Sequence, residues 1–242
     1  MGSVRMAQIE VLFFDVLGTV VDWRCSIAAE VGGFLTRQGR DDIPAERFAD
    51  AWVGGYDPAV EELRGGRRGF VNLDVINRET LETCLVGFGL DPARVPQDQL
   101  AALTQAWHRL DPWPDAVEGL SRLRTAFIVA PLSDGHSRLL LDMAKRAVLP
   151  WDTVLGADMF RAYKPMPPVY LGACALLGVR PEQVMLVAAH DYDLQGARDS
   201  GLRTAHIRRS KARDPAKVDQ PEQRSGWDYH ADDLIDLARI PV

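Results

Sequence analysis

The sequence predicts an α/β fold: a parallel sheet covered on both faces by helices, with a block of helices inserted after the first strand. Three observations carry this. The runs at 11–14, 126–132 and 184–187 are apolar and unbroken by charge, which marks strands buried on both faces rather than half-exposed ones. Helix-patterned segments separate those runs, so successive strands are joined by right-handed βαβ crossovers. From 23 to 110 only helical spacing recurs. The implied architecture is a Rossmann-like three-layer core made of 1–22 and 111–242, plus a helical cap subdomain at 23–110. A pocket between core and cap is the default site.

In order, the first strand ends at Asp15, with Gly18-Thr19 close behind. Ligands of open α/β sheets sit beyond the carboxyl ends of the strands, so Asp15 is aimed where such folds do chemistry. An Asp there also orders turns by bonding nearby amides. A helix over 26–37 follows from the spacing of Ile27, Val31, Phe34 and Leu35. Pro44 opens another, with Phe48, Ala51 and Trp52 on one face, and Gly54-Gly55 breaks it. A helical turn at 60–63 precedes the basic loop Gly65-Gly66-Arg67-Arg68-Gly69, and 73–88 is amphipathic with Gly89 as its stop. After a helix at 100–107 and the Pro112-Trp113-Pro114 return, the core resumes with a helix at 117–123. The strand at 126–132 ends at Ser133-Asp134-Gly135, a helix spans 137–147, and a short strand at 154–155 leads to Tyr163-Lys164-Pro165. A helix at 168–177, the strand at 184–187, the polar run 188–193, a helix at 195–200, a strand at 204–207 and a closing helix at 231–238 complete it. The polar stretch 208–227 is expected to be a surface loop.

Composition narrows the function. A net charge of −6 disfavours a nucleic-acid surface. No apolar run approaches the roughly 18 residues of a membrane span. Residues 1–9 lack the apolar core of a signal peptide, so a cytoplasmic location is expected. Cys25, Cys84 and Cys174 lack metal-ligand spacing and are expected to be reduced core or near-core thiols.

Each strand end offers a polar group: Asp15, then Ser133-Asp134, then Lys164, then the run from His190 to Asp193. In that order the chain resembles the haloacid dehalogenase superfamily of hydrolases. Asp15-x-x-Gly18-Thr19 looks like its first motif, Leu132-Ser133-Asp134-Gly135 its second, Lys164-Pro165 its third, and Asp193 with Gly201 its fourth. Most members are magnesium-dependent phosphatases with a general acid two residues after the nucleophile and an acidic metal ligand four before the last Asp. Here those positions are Leu17 and Ala189. An aspartyl-phosphate needs its charge neutralised by a hard cation with oxygen ligands, so phosphatase chemistry is disfavoured.

Both departures resemble the L-2-haloacid dehalogenase branch, as do Trp52, Tyr170 and Trp113-Pro114. The resemblance implies a metal-independent, cofactor-free hydrolase that removes halide from small 2-haloacids, and it allows a homodimer. Asp15 would attack the substrate carbon, Lys164 would keep Asp15 ionised, and Thr19 and Ser133 would position Asp15 or the substrate carboxylate. Asp193 with Lys164 would direct water onto the ester, with Tyr170 holding Lys164 or Asp193. Leu17, Trp52, Asp134, Tyr170 and His190 are the candidate substrate-facing residues. The branch also carries an Arg after the cap tryptophan, an Asn after the second-motif Ser and an Asn three before the final Asp; here these are Val53, Asp134 and His190. Losing a cation and gaining a carboxylate weakens binding of an anion unless Asp134 is protonated or paired. Arg24, or Arg67 and Arg68 of the glycine-rich loop, are the candidate replacements, each against the alternative of a solvated surface arginine. Hydrolysis of another small substrate, weak phosphatase activity and a binding protein that has lost the reaction are the competing readings.

Overall fold

A computed structural model of the chain describes residues 8–209 and 226–240. Among these the strands are β1 (Val11–Phe14), β2 (Val21–Asp22), β3 (Asp111–Pro112), β4 (Ile128–Ser133), β5 (Leu155–Gly156), β6 (Val184–Ala188), β7 (Arg203–Ile207) and β8 (Tyr229–Ala231). The helices are α1 (Trp23–Arg37), α2 (Ala45–Gly54), α3 (Tyr56–Arg64), α4 (Leu73–Gly87), α5 (Gln97–Thr104), α6 (Ala116–Leu123), α7 (Ser137–Ala147), α8 (Ala157–Phe160), α9 (Pro167–Leu177), α10 (Asp191–Asp199) and α11 (Leu234–Leu237). A 3₁₀ turn at Gln105–Arg109 follows α5.

Six strands form one parallel sheet in the order β5-β4-β1-β6-β7-β8, with β1 between β4 and β6. The apolar run of β1 is explained by its two-sided burial. Leu12 and Phe14 enter one apolar layer with Leu120, Leu139 and Leu234, while Val11 and Phe13 enter another with Val169, Tyr170 and Leu194. The alternation is the period-two geometry of a strand. Helices α6, α7 and α11 thus supply one layer, and α9 and α10 the other.

Between β2 and β3 the described chain is helical, and the two-residue antiparallel β2-β3 ladder brings its ends together. The helices start where side chains satisfy free amides. Asp22 accepts from the Cys25 N–H at the start of α1, and Asn72 from the Val75 N–H at the start of α4. Phe48, Trp52, Val31 and Leu81 bury the inner faces of these helices.

Three expectations change. The closing helix at 231–238 becomes β8 and the one-turn α11, because Tyr229–Ala231 pairs with β7 and Asp233 caps the turn at the Asp236 N–H. The last core helix begins at Asp191, four residues before the expected start, which puts Asp193 in its first turn. Cys25 is exposed on α1, while Cys84 and Cys174 are buried. Most of the expected 208–227 loop lies outside the described residues.

Candidate active site

The carboxyl ends of β1, β4 and β6 converge, as the parallel order requires. Asp15 stands one residue beyond β1, and Thr19 reaches back over a tight turn to donate from Oγ1 to Asp15 Oδ2 at 2.7 Å. Thr19 Oγ1 in turn accepts the Ala189 N–H at 2.9 Å. The turn depends on Gly18, which has φ +90°; a Cβ there would also lie 2.9 Å from His190 Nε2. That imidazole nitrogen sits 3.0 Å from the Leu17 carbonyl, an acceptor only, so Nε2 carries the proton; Asp15 Oδ2 is 3.6 Å away.

Lys164 arrives from the loop before α9. Its Nζ donates to Asp15 Oδ1 at 3.0 Å and to Asp193 Oδ2 at 2.5 Å. Tyr170, on α9, donates to the other Asp193 oxygen at 2.7 Å. Relative exposures of 5% for Asp15, 1% for Lys164 and 0% for Asp193 put this triad out of bulk water, where charge–charge terms are strong. Burial opposes ionisation of Asp15, but Lys164, His190 and the Thr19 hydroxyl outweigh it and hold the carboxyl below its usual range. For Asp193, burial together with the negative Asp15 wins over Lys164 and Tyr170, and the carboxyl is pushed up to about 6. Burial also disfavours the Lys164 ammonium, yet the surrounding Asp15, Asp193 and Asp134 raise it well above an ordinary lysine. One ammonium therefore faces two carboxylates of different acidity.

Asp134 is held rather than free. Its Oδ1 accepts the Lys164 backbone N–H at 2.8 Å and its Oδ2 accepts the Tyr56 hydroxyl at 2.5 Å. Burial still pushes this carboxyl above its usual range despite Lys164 and Tyr56, so it holds its proton more tightly. Tyr56 comes from the helical segment, and so does Arg64 at the other end of α3, whose Nη2 donates to the Lys164 carbonyl. The Arg64 charge also acts on Asp134 and Tyr192, and its buried Nε has no hydrogen-bond partner.

A family model described as haloacid dehalogenase-like hydrolase matches residues 9–201. The chain belongs to the haloacid dehalogenase-like hydrolases. A solved structure described as the defluorinating L-2-haloacid dehalogenase Rha0230 superposes with a TM-score of 0.91 at 43% identity, covering 95% of this chain and 94% of that one. (S)-2-haloacid dehalogenase 1 of Pseudomonas sp. strain CBS-3 is 30% identical over 211 residues, 84% of this chain and 86% of that protein. (S)-2-haloacid dehalogenase 4A of Burkholderia cepacia is 37% identical over 134 residues, 54% of this chain and only 57% of its own length.

In this hydrolase the four strand-end groups predicted from sequence meet: Asp15, Asp134, Lys164 and Asp193, with Thr19, Tyr170, His190 and Leu17 around them. Other expected site residues are engaged with different partners. Ser133 is buried and its hydroxyl accepts the Gly135 N–H. Trp52 is buried within the helical segment, its indole donating to the Asn77 carbonyl and its ring edge-on to Trp107. Arg24 forms a two-pronged ion pair with Asp50, and Arg68 another with Glu79. Neither arginine reaches the triad, because an acidic neighbour on an adjacent helix holds each fork. Arg64 and Tyr56 were missed. The signal was present: positions 56, 60 and 64 repeat every four residues on one helix face, with buried Val60 between the polar pair.

Proposed function

We propose that this hydrolase cleaves the carbon–halogen bond of small 2-haloacids through an ester on Asp15 and releases the 2-hydroxy acid of inverted configuration. The observation that carries the reading is the Lys164 ammonium bonded to both Asp15 and Asp193, with apolar Leu17 where an acid would serve a leaving alkoxide. A halide departs without a proton, so the reaction needs no acid at that position.

In the first step an Asp15 oxygen attacks the substrate Cα from the face opposite the halogen. The carbon–halogen electron pair leaves with the halide, and Cα inverts. Lys164 on Oδ1 and Thr19 on Oδ2 hold the nucleophile in one orientation. In the second step water adds to the Asp15 carbonyl carbon while ionised Asp193 takes its proton. Collapse of the tetrahedral species expels the alkoxide, which recovers that proton as the 2-hydroxy acid leaves, while the second proton of the water passes from the regenerated Asp15 carboxyl to solvent. The positive charge of Lys164, between the two carboxylates, supplies the neutralisation that both steps require.

The helical segment 23–110 acts as a cap in this scheme. Arg64 is its contribution: a guanidinium whose buried Nε is unpaired and available to a substrate carboxylate. Asp134 is prevented from repelling that substrate by the hydrogens it accepts from Tyr56 and Lys164. The names of the similar proteins, (S)-2-haloacid dehalogenases, support the substrate class.

A single turnover of L-2-chloropropionate in heavy-oxygen water, followed by mass spectrometry of the Asp15 peptide, tests the scheme. Heavy oxygen in Asp15, together with halide release unaffected by EDTA, is the expected result. Label confined to the product, or release of phosphate from a generic ester under magnesium in place of halide, would overturn it.

A further inference from the structure

Away from the Asp15 cluster, three side chains brought from distant points of the sequence converge where the helical segment meets the core. Asp74 lies in the first turn of α4, His108 in the 3₁₀ turn at Gln105–Arg109, and His136 at the residue before α7. One ligand-type atom from each lies within 4.8 Å of the other two. His108 Nε2 is 3.0 Å from Asp74 Oδ1, and His136 Nε2 is 3.6 Å from Asp74 Oδ2. Ligands at about 2.0–2.1 Å around a tetrahedral zinc ion stand roughly 3.4 Å from one another. The two imidazoles here approach different oxygens of Asp74, and a one-atom-per-residue set spans up to 4.8 Å, so loading would draw the three together.

Two further observations point to a ligand. His136 is buried at 7% relative exposure, its Nδ1 has no hydrogen-bond partner, and its Nε2 faces Asp74 from beyond hydrogen-bonding distance. A buried imidazole with neither nitrogen in a hydrogen bond is costly, and a cation held between Nε2 and Asp74 would engage one of the two. His108 is braced as metal-binding histidines are: Nδ1 lies 2.8 Å from Asp142 Oδ2, and Asp142 is itself held by Arg138 at 2.9 Å. A carboxylate on the outer nitrogen fixes the ring and aims Nε2 at Asp74, where an ion would take the place of the hydrogen between them.

We infer that Asp74, His108 and His136 form a binding site for a divalent transition metal, best matched by Zn²⁺, that bridges the helical segment and the core. Two imidazoles and one carboxylate suit zinc and its first-row neighbours rather than Mg²⁺ or Ca²⁺, which prefer all-oxygen shells. Three protein ligands leave a fourth position for water. None of the described hydrogen bonds or ion pairs connects these residues to Asp15, Lys164 or Asp193. The site would act by joining two parts of the fold, not by entering the hydrolysis, so its test is independent of the substrate.

Titration of untagged, chelator-treated protein with Zn²⁺ by calorimetry, and with Co²⁺ by visible absorption, reads the site directly. One equivalent bound at micromolar concentration or tighter, with the intense visible bands of four-coordinate Co²⁺, is expected. His136→Ala should abolish both signals while Asp15→Asn leaves them intact. Asp142→Asn should weaken binding ~10–100-fold by releasing the His108 ring. If His136→Ala fails to fold, His136→Gln with wild-type Co²⁺ spectra decides the matter. Failure of wild-type protein to bind either ion, or one equivalent still bound by a folded His136 variant, would overturn the assignment.

Discussion

Lys164 is asked to neutralise two carboxylates, and the outcome is uneven: Asp15 stays an anion and Asp193 holds its proton more tightly. If Asp193 is the base for ester hydrolysis, kcat should fall about tenfold per pH unit on the acid side, because the protonated form cannot accept a proton from water. That limb should lie below the free-enzyme value of about 6, since esterified Asp15 no longer repels the Asp193 carboxylate. Tyr170 donates to the ionised form, so its removal favours protonation. A hydrogen bond to a charged group is worth about 1.5–3 kcal/mol, which predicts that Tyr170→Phe moves the acid limb up by about one to two pH units. A pH–rate profile checks both the limb and the direction of its movement. Arg64 makes a different prediction. Loss of a guanidinium that binds substrate and transition state alike raises KM more than it lowers kcat. Arg64→Gln should raise KM for a 2-haloacid roughly 10–100-fold, by the same hydrogen-bond magnitude, while Arg24→Gln, which breaks only an ion pair with Asp50, leaves steady-state kinetics near wild type.

At the scale of elements, α10 is pressed against the Lys164 loop and α9. A Cβ on Gly196 would lie 2.6 Å from Pro165 Cβ and 2.8 Å from the Tyr170 hydroxyl. Gly196→Ala should therefore cost about 1–3 kcal/mol in thermal unfolding and lower kcat, although position 196 performs no chemistry. The reason is displacement of Asp193, one turn earlier on the same helix, from Lys164. The same element exposes the limit of pattern reading. The buried strands were legible because continuous apolar runs need two covered faces, and Asp15, Asp134, Lys164 and Asp193 were legible because each closes such a run or follows it. The start of α10 was not: His190 to Asp193 is polar, and its helical state depends on packing against β6 and β7. The two-residue strands β2 and β3 carry no periodicity at all. The polar face of α3 was present in the spacing but was eclipsed by the neighbouring basic loop, whose Arg67 and Arg68 pair with Glu62 and Glu79.

Across the whole molecule the buried triad ties stability to pH. In Lys164→Met two buried carboxylates lose their shared cation, and breaking such a network costs about 3–5 kcal/mol. Without the ammonium both acids have folded values above their unfolded ones, so the folded state binds more protons and stability falls as pH rises. The deficit of Lys164→Met relative to wild type should be small near pH 4 and grow towards pH 8, as denaturant unfolding across that range would reveal. Motif and period reach the core, and the four-residue spacing of Tyr56, Val60 and Arg64 marks a face of α3; that this face meets Asp134 and the Lys164 loop is decided by tertiary packing, which spacing does not report.

The Lys164 backbone is held at both of its polar groups: Asp134 accepts its N–H and Arg64 donates to its carbonyl. Both Arg64 and Tyr56 lie on α3, so any displacement of that helix would remove the grip on the Lys164 carbonyl together with the Tyr56 hydroxyl on Asp134. The main chain that carries the ammonium beside Asp15 is thereby coupled directly to the position of a single short helix.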